Sequence, residues 1–239
     1  MRKVEKVKEY FDITDDYIKA NPIISIRKKI ICDIVGDVKD KQIIDIGCGN
    51  GELSKDFLYN NHITFLDISE KMLNLVSLNI PKEHLNHATL VNSDILKFKT
   101  DQAFDLVICV GVIAHVEDIP GLLDKLKEIA RNDGIIILQY SASEKLISKF
   151  NQLKNGFFRK EKYHYNINFT SSLFIKKLID HTGLIIIKKD KYLPVSPFFS
   201  IFNYKTKVKY LEFSYRSRLL AFFGSEIILS LSKAFVPKL

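Results

Sequence analysis

Three glycines at alternate positions, Gly47, Gly49 and Gly51, follow the apolar run Ile43-Ile44-Asp45-Ile46. Glycine has no Cβ and takes φ > 0 freely, so such a turn lets the backbone come close to a ligand. The run reads as a short buried strand. Leu53 to Tyr59 predicts a helix, which sets the turn between strand and helix. In an open α/β sheet that is the carboxyl edge, where ligands bind. A glycine-rich turn in a non-binding α/β protein is the other reading of the glycines alone. Two nucleotide sites are excluded by spacing. The pattern G-x-G-x-x-G needs a third glycine where Glu52 stands, and no phosphate-binding lysine follows. Asp67 ends the second predicted strand, 22 residues beyond Asp45. An acid in that place accepts hydrogen bonds from two ribose hydroxyls; capping the next helix is the competing use of Asp67 or Ser69.

The elements that hold these residues follow from periodicity and breakers. Val4, Val7 and Phe11 share one face of a helix over residues 3–20, which Asn21-Pro22 breaks. Ile26, Ile30 and Ile34 share a face of a second helix, Ile23 to Val35, ended by Gly36. Strands are expected at 63–67, 88–91, 104–110 and 135–140, with a helix from Leu122 to Arg131 and a turn at Asn132-Asp133-Gly134. A helix from Ser171 to His181, a strand at 184–187, a helix from Val208 to Phe223 and a strand at 227–231 complete the chain. Strands alternating with helices of these lengths predict a parallel sheet with helices on both faces.

Gln42 to Glu52 resembles motif I of the class I S-adenosylmethionine (SAM) methyltransferases, hydrophobic-hydrophobic-Asp-x-Gly-x-Gly-x-Gly, at every position. Ile68-Ser69-Glu70-Lys71-Met72-Leu73 resembles the family's text after the ribose acid, and Gly111 to Pro120 its loop beyond the fourth strand. The resemblance runs over most of residues 20–190. It implies an α/β fold: a Rossmann-like, doubly wound sheet of seven strands, the last antiparallel. It implies SAM as cofactor, met by Asp45, Gly47, Cys48, Gly49 and Gly51 around the turn. Asp67 and Ile68 would serve the ribose, and Val110 would line the site. Asp94, beside Ile95, would accept from the adenine amino group, a turn aspartate being the other reading. Asn21-Pro22 followed by Arg27 looks like the entry of the quinone-biosynthesis O-methyltransferases, whose arginine meets the cofactor's carboxylate. Here the spacing differs, and a surface arginine beside Lys28 and Lys29 is the competing reading.

Methyl transfer is an in-line displacement, so the protein chiefly supplies proximity, alignment and, where needed, a base. His115, in the loop beyond the fourth strand, is the first candidate base, because histidine titrates near neutrality. Packing against the cofactor or holding the loop is its alternative role. His164 is the second candidate, within a basic, aromatic stretch where the family places substrate-binding insertions. Where quinone-type enzymes carry metal-binding acids, this chain has Gly111, Val112, Ile113 and Ala114, so no metal is expected. It has no Asn/Asp-Pro-Pro-Tyr/Phe motif after the fourth strand, and Cys109 follows Ile108 rather than proline. Methylation of nucleic-acid bases is therefore disfavoured.

The charge is divided. Residues 1–143 hold 18 Lys+Arg against 22 Asp+Glu (net −4), and residues 144–239 hold 18 against 6 (net +12). The basic half suits an anionic substrate, a membrane surface or a nucleic acid, or else a solvated lysine-rich face. The 208–223 helix interleaves aromatic and basic residues and so suits peripheral membrane contact; core packing in the final crossover is the favoured use. Three scattered cysteines form no CxxC pair. With a charged N-terminus and no apolar leader, they point to a cytoplasmic protein. The expected organisation is a single domain over 1–239, with a helical cover over about 1–36 and a substrate-binding insertion over about 141–170. The expected activity is SAM-dependent methyl transfer to oxygen or nitrogen of a small-molecule acceptor, lipid-like or anionic. Two rivals are an RNA- or protein-directed methyltransferase and a non-catalytic partner subunit of the same fold.

Overall fold

The computed structural model describes residues 2–15, 20–144, 165–193 and 202–233. Helix α1 (Lys3–Ile13) precedes α2 (Pro22–Val35). Asn21 caps α2 by accepting from the Ile23 N–H, Pro22 takes the first turn, and Gly36 at φ 69° ends it. There follow β1 (Gln42–Ile46), β2 (His62–Asp67), α3 (Glu70–Asn79), β3 (Ala88–Asn92), β4 (Phe104–Cys109), α4 (Ile119–Ile129) and β5 (Ala130–Ser141). Then come α5 (Ser172–Thr182), β6 (Leu184–Tyr192), α6 (Tyr204–Arg216), α7 (Arg218–Phe223) and β7 (Glu226–Lys233).

The seven strands form one sheet in the order β3-β2-β1-β4-β5-β7-β6. Strands β1 to β5 pair in parallel, and β7 runs antiparallel between β5 and β6. This is the doubly wound arrangement expected. The strand order reverses on either side of β1, so the crevice opens beyond the carboxyl ends of β1 and β4. Alternation along the strands feeds two cores. Ile44, Val107, Ile136 and Leu229 face α4 and α5. Ile43, Ile108, Ile137 and Ile228 face Ile26 and Ile30 of α2, Val76 of α3 and Leu211 of α6.

Five local expectations are corrected. The helix expected at Leu53–Tyr59 is a single 3-10 stretch, Lys55–Tyr59. Ser54, which would begin that helix, instead gives its hydroxyl to Asp45. The turn at Asn132-Asp133-Gly134 is absorbed into β5 as a bulge: Phe104 pairs with Ala130, whereas Leu106 pairs with Ile135. Strand β6 runs on to Tyr192 because β7 pairs along its whole length. The helix expected at 208–223 is two helices, broken at Ser217, whose side chain caps α7. The first helix, expected to reach residue 20, ends at Ile13.

Candidate active site

A cavity of about 350 Å³ lies at the carboxyl ends of β1, β2 and β4. Its floor is the glycine turn. Gly47, Gly49 and Gly51 all have positive φ, at 63°, 54° and 77°. The Gly47 N–H donates to the Leu66 carbonyl at 2.8 Å, which curls the chain back onto β2. A Cβ on Gly47 would stand 2.7 Å from Val112 Cγ2, so the turn and the loop after β4 approach as closely as glycine permits. Gly51 serves packing rather than the cavity: a Cβ there would press on Phe65 and Val76, 3.3 Å away.

Asp67 closes β2 and lines the cavity. Its Oδ2 accepts from the Gly49 N–H and its Oδ1 from the Ser69 N–H, both at 2.9 Å. Burial pushes its pKa up to about 6, while those backbone donors pull it down. The carboxylate thus shapes the turn and keeps acceptor capacity on the cavity side. Asp45 does not line the cavity. It lies behind the turn, where its Oδ2 accepts from Ser54 Oγ at 2.6 Å. Burial pushes it up to about 7 against the pull of that hydroxyl, and the neighbouring Asp67 charge adds to the rise. Asp94 sits in the turn after β3, with Oδ1 accepting from the Leu96 N–H at 3.1 Å. Asp94, Ile95, Cys48, Ile68 and Val110 all line the cavity.

Arg27 projects from α2 to the same space. Its Nε donates to the Tyr192 hydroxyl at 2.9 Å, and its Nη2 to Glu226 Oε2 at 3.1 Å. Despite burial, the Tyr192 and Glu226 partners keep it firmly charged. Nη1 takes part in neither bond and lies 3.6 Å from where a Cβ on Gly111 would be. Glu226 also accepts from Gln139 Nε2 at 2.7 Å and Ser141 Oγ at 2.6 Å. Gln139 Oε1 in turn accepts from the Gly111 N–H at 2.9 Å. Sequence reasoning missed this frame, because its members come from α2, β5, β6 and β7 and no spacing links them.

His115 also lines the cavity, its Nδ1 2.9 Å from the Tyr165 hydroxyl and its ring 5.4 Å from that of Phe11 in an edge-on contact. Burial lowers its pKa to about 4, with the Lys3 and Arg27 charges acting in the same direction, so it is neutral at physiological pH. His164 lies outside the described residues.

Helix α1 roofs the cavity with Val4, Val7 and Phe11. At its start Lys3 donates through its backbone N–H to Glu117 and through Nζ to Asn168 and the Val116 carbonyl. Near its end Asp12 accepts from Ser69 Oγ at 2.6 Å. The helix face was legible from spacing, and a helical cover over about 1–36 was expected from the family resemblance. Among the described residues no group of three His, Cys, Asp or Glu side chains is arranged to hold a metal ion.

The chain matches a family model described as a methyltransferase domain over residues 37–193, and it belongs to that family. Its fold is that of the class I SAM-dependent methyltransferases. An (S)-tetrahydroprotoberberine N-methyltransferase of Eschscholzia californica is 28% identical over 123 residues, covering 48% of this chain and 34% of that protein. A ubiquinone biosynthesis O-methyltransferase of Glaesserella parasuis is 25% identical over 145 residues, covering 58% and 61%. The match thus spans less than two thirds of these curated relatives. In fold, the chain is similar to magnesium protoporphyrin IX methyltransferase of Synechocystis PCC 6803 with bound SAH, the S-adenosylhomocysteine product. That likeness has a TM-score of 0.68 at 19% identity and covers 98% of this chain and 100% of that one.

Proposed function

We propose that this protein transfers a methyl group from SAM to an oxygen or nitrogen of a small, partly apolar acceptor. The observation that carries the reading is the convergence of the glycine turn, Asp67, Asp94, Arg27 and His115 on one cavity. These residues fit the cofactor. The space above Gly47 would be filled by a side chain. Asp67 offers acceptors for ribose hydroxyls, Asp94 offers one for an adenine amino group, and Arg27 Nη1 offers a donor for the amino-acid carboxylate. When bound, SAM supplies a methyl group activated on a sulfonium.

The chain's own residues do the remainder. Val4, Val7 and Phe11 close the roof and exclude water, and the same apolar surface suits the body of an acceptor. His115, held neutral by burial, works through one of two tautomers. With Nδ1–H donating to the Tyr165 oxygen, Nε2 is an acceptor. With the Tyr165 hydroxyl donating to Nδ1, Nε2–H is a donor. For an oxygen acceptor, the first tautomer takes the proton that the oxygen sheds once methyl transfer makes it an oxonium; the second donates to one of the oxygen's two lone pairs and leaves the other for attack.

The test is calorimetry of SAM and SAH on the intact protein and on Asp67→Ala. Binding in the micromolar range, weakened about tenfold or more by the substitution, is expected from the loss of two hydrogen bonds to a charged group. No binding by the intact protein would overturn the reading. Binding without turnover of any hydroxyl or amine acceptor would favour a non-catalytic subunit.

A further inference from the structure

Helix α6 has two unlike faces. Leu211 and Ser214 are buried, and Tyr210 and Tyr215 pack on the core beneath α2. Phe213, on the other side, is 62% exposed. In α7 the exposure widens: Leu219 and Phe223, four residues apart on one helix face, are 69% and 52% exposed, and Phe222 is exposed beside them. Core packing therefore accounts for one face of this crossover and leaves an exposed apolar knuckle on the other. The knuckle has a basic rim. Between residues 204 and 223 stand Lys205, Lys207, Lys209, Arg216 and Arg218 against one acid, Glu212. Exposed apolar surface rimmed by charge marks an interaction site, and here the rim is of one sign.

We propose that α6 and α7 dock the protein on an anionic lipid surface. Phe213, Leu219 and Phe223 enter the boundary between headgroups and acyl chains, and Arg216, Arg218 and the lysines pair with headgroup phosphates. Lipid suits the knuckle better than nucleic acid. Leucine offers no face for a base to stack on, and the residues sit on a short helix, whereas single strands are bound along a basic groove of aromatic platforms.

The test is co-sedimentation with vesicles of phosphatidylcholine alone and of phosphatidylcholine with about 30% phosphatidylglycerol, a content that gives a strongly negative surface. Binding to the second and not the first is expected, weakening as salt rises. Leu219→Ser with Phe223→Ser should weaken it about tenfold or more through lost apolar burial. Arg216→Ala and Arg218→Ala should each weaken it about fivefold, the equivalent of about 1 kcal/mol per basic residue. Neither pair lines the cavity, so unchanged Tm and SAH affinity would show that the variants are folded. The proposal is overturned by no association with either vesicle, by binding that survives the apolar double substitution, or by a preference for an RNA oligonucleotide over vesicles at equal salt. Vesicle binding needs no methyl transfer, so it stands or falls apart from the reading of the cavity.

Discussion

Asp45 interrupts an apolar strand, and the fold places it where an ionised carboxylate is costly. Its neighbours on that face are the buried residues around α2 and α3, and Ser54 is its one hydrogen-bond partner among the described contacts. Its pKa, pushed up to about 7 by burial, lies above the ordinary carboxylate value. Between pH ~4 and ~7 the folded state therefore holds a proton that the unfolded state releases. The stability that this proton confers is complete at the low end of that window and is lost as pH rises through the folded pKa. Asp45→Asn keeps an acceptor for Ser54 and removes the titration. Wild type should thus lose stability relative to the variant between pH 4.5 and 8, by roughly 1–4 kcal/mol, in denaturant titrations at the two pH values. An unchanged difference would show that Asp45 is already ionised at low pH. His115 bears the same penalty with the opposite sign: burial lowers its pKa, so cost appears as pH falls toward about 4.

At the scale of elements, the glycine turn and the loop after β4 form the tightest joint of the site. Gly47→Ala would meet Val112 and must also hold φ at 63°. The joint strain should cost about 1–3 kcal/mol of stability and lower SAH affinity about tenfold, measured by thermal unfolding and calorimetry. A simultaneous Val112→Ala should recover part of the affinity; no recovery would place the effect in the backbone alone. The elements also show where sequence reading stops. Strands β1, β2, β4 and β5 were legible because buried parallel strands hold apolar runs, whereas β3 is an edge strand with no fully buried residue. The Asn132-Asp133-Gly134 segment looked like a turn by composition, yet pairing between β4 and β5 carries the strand past it as a bulge. The 208–223 segment looked like one helix by pattern, but Ser217 gives its side chain to the Leu220 N–H and starts a second.

At the scale of the molecule, the antiparallel strand β7 reaches back to the cavity. Glu226 joins Arg27 of α2 to Gln139 and Ser141 of β5, and Gln139 holds the Gly111 N–H beyond β4. This frame fixes the Arg27 guanidinium, and under the proposed role of Arg27 it would give the crossover strands a bearing on ligand affinity. Glu226→Gln should weaken SAH binding about five- to tenfold while leaving 5′-methylthioadenosine, which lacks the amino-acid end, unchanged, as read by calorimetry. Equal loss for both ligands would mean that Glu226 only supports the fold.

The sequence by itself determined the sheet class, the glycine turn and the acidic and histidine candidates, because these rest on local period, backbone freedom and chemical type. Of the candidates in the described residues, the structure sets Arg27, Gly47, Cys48, Gly49, Asp67, Ile68, Asp94, Ile95, Val110 and His115 on the cavity, with Asp45 and Gly51 behind it. Only the tertiary structure decided that Glu226 and Tyr192 flank Arg27 and that Tyr165 meets His115. Those pairings join residues 50 to 199 positions apart. Contacts of that kind depend on how helices and crossover strands pack, and neither periodicity nor spacing encodes them. The same limit applies to α6 and α7: their interleaved aromatic and basic residues suited either a core or a surface, and packing of α6 against α2 and of α7 against β6 decided which faces stayed outside.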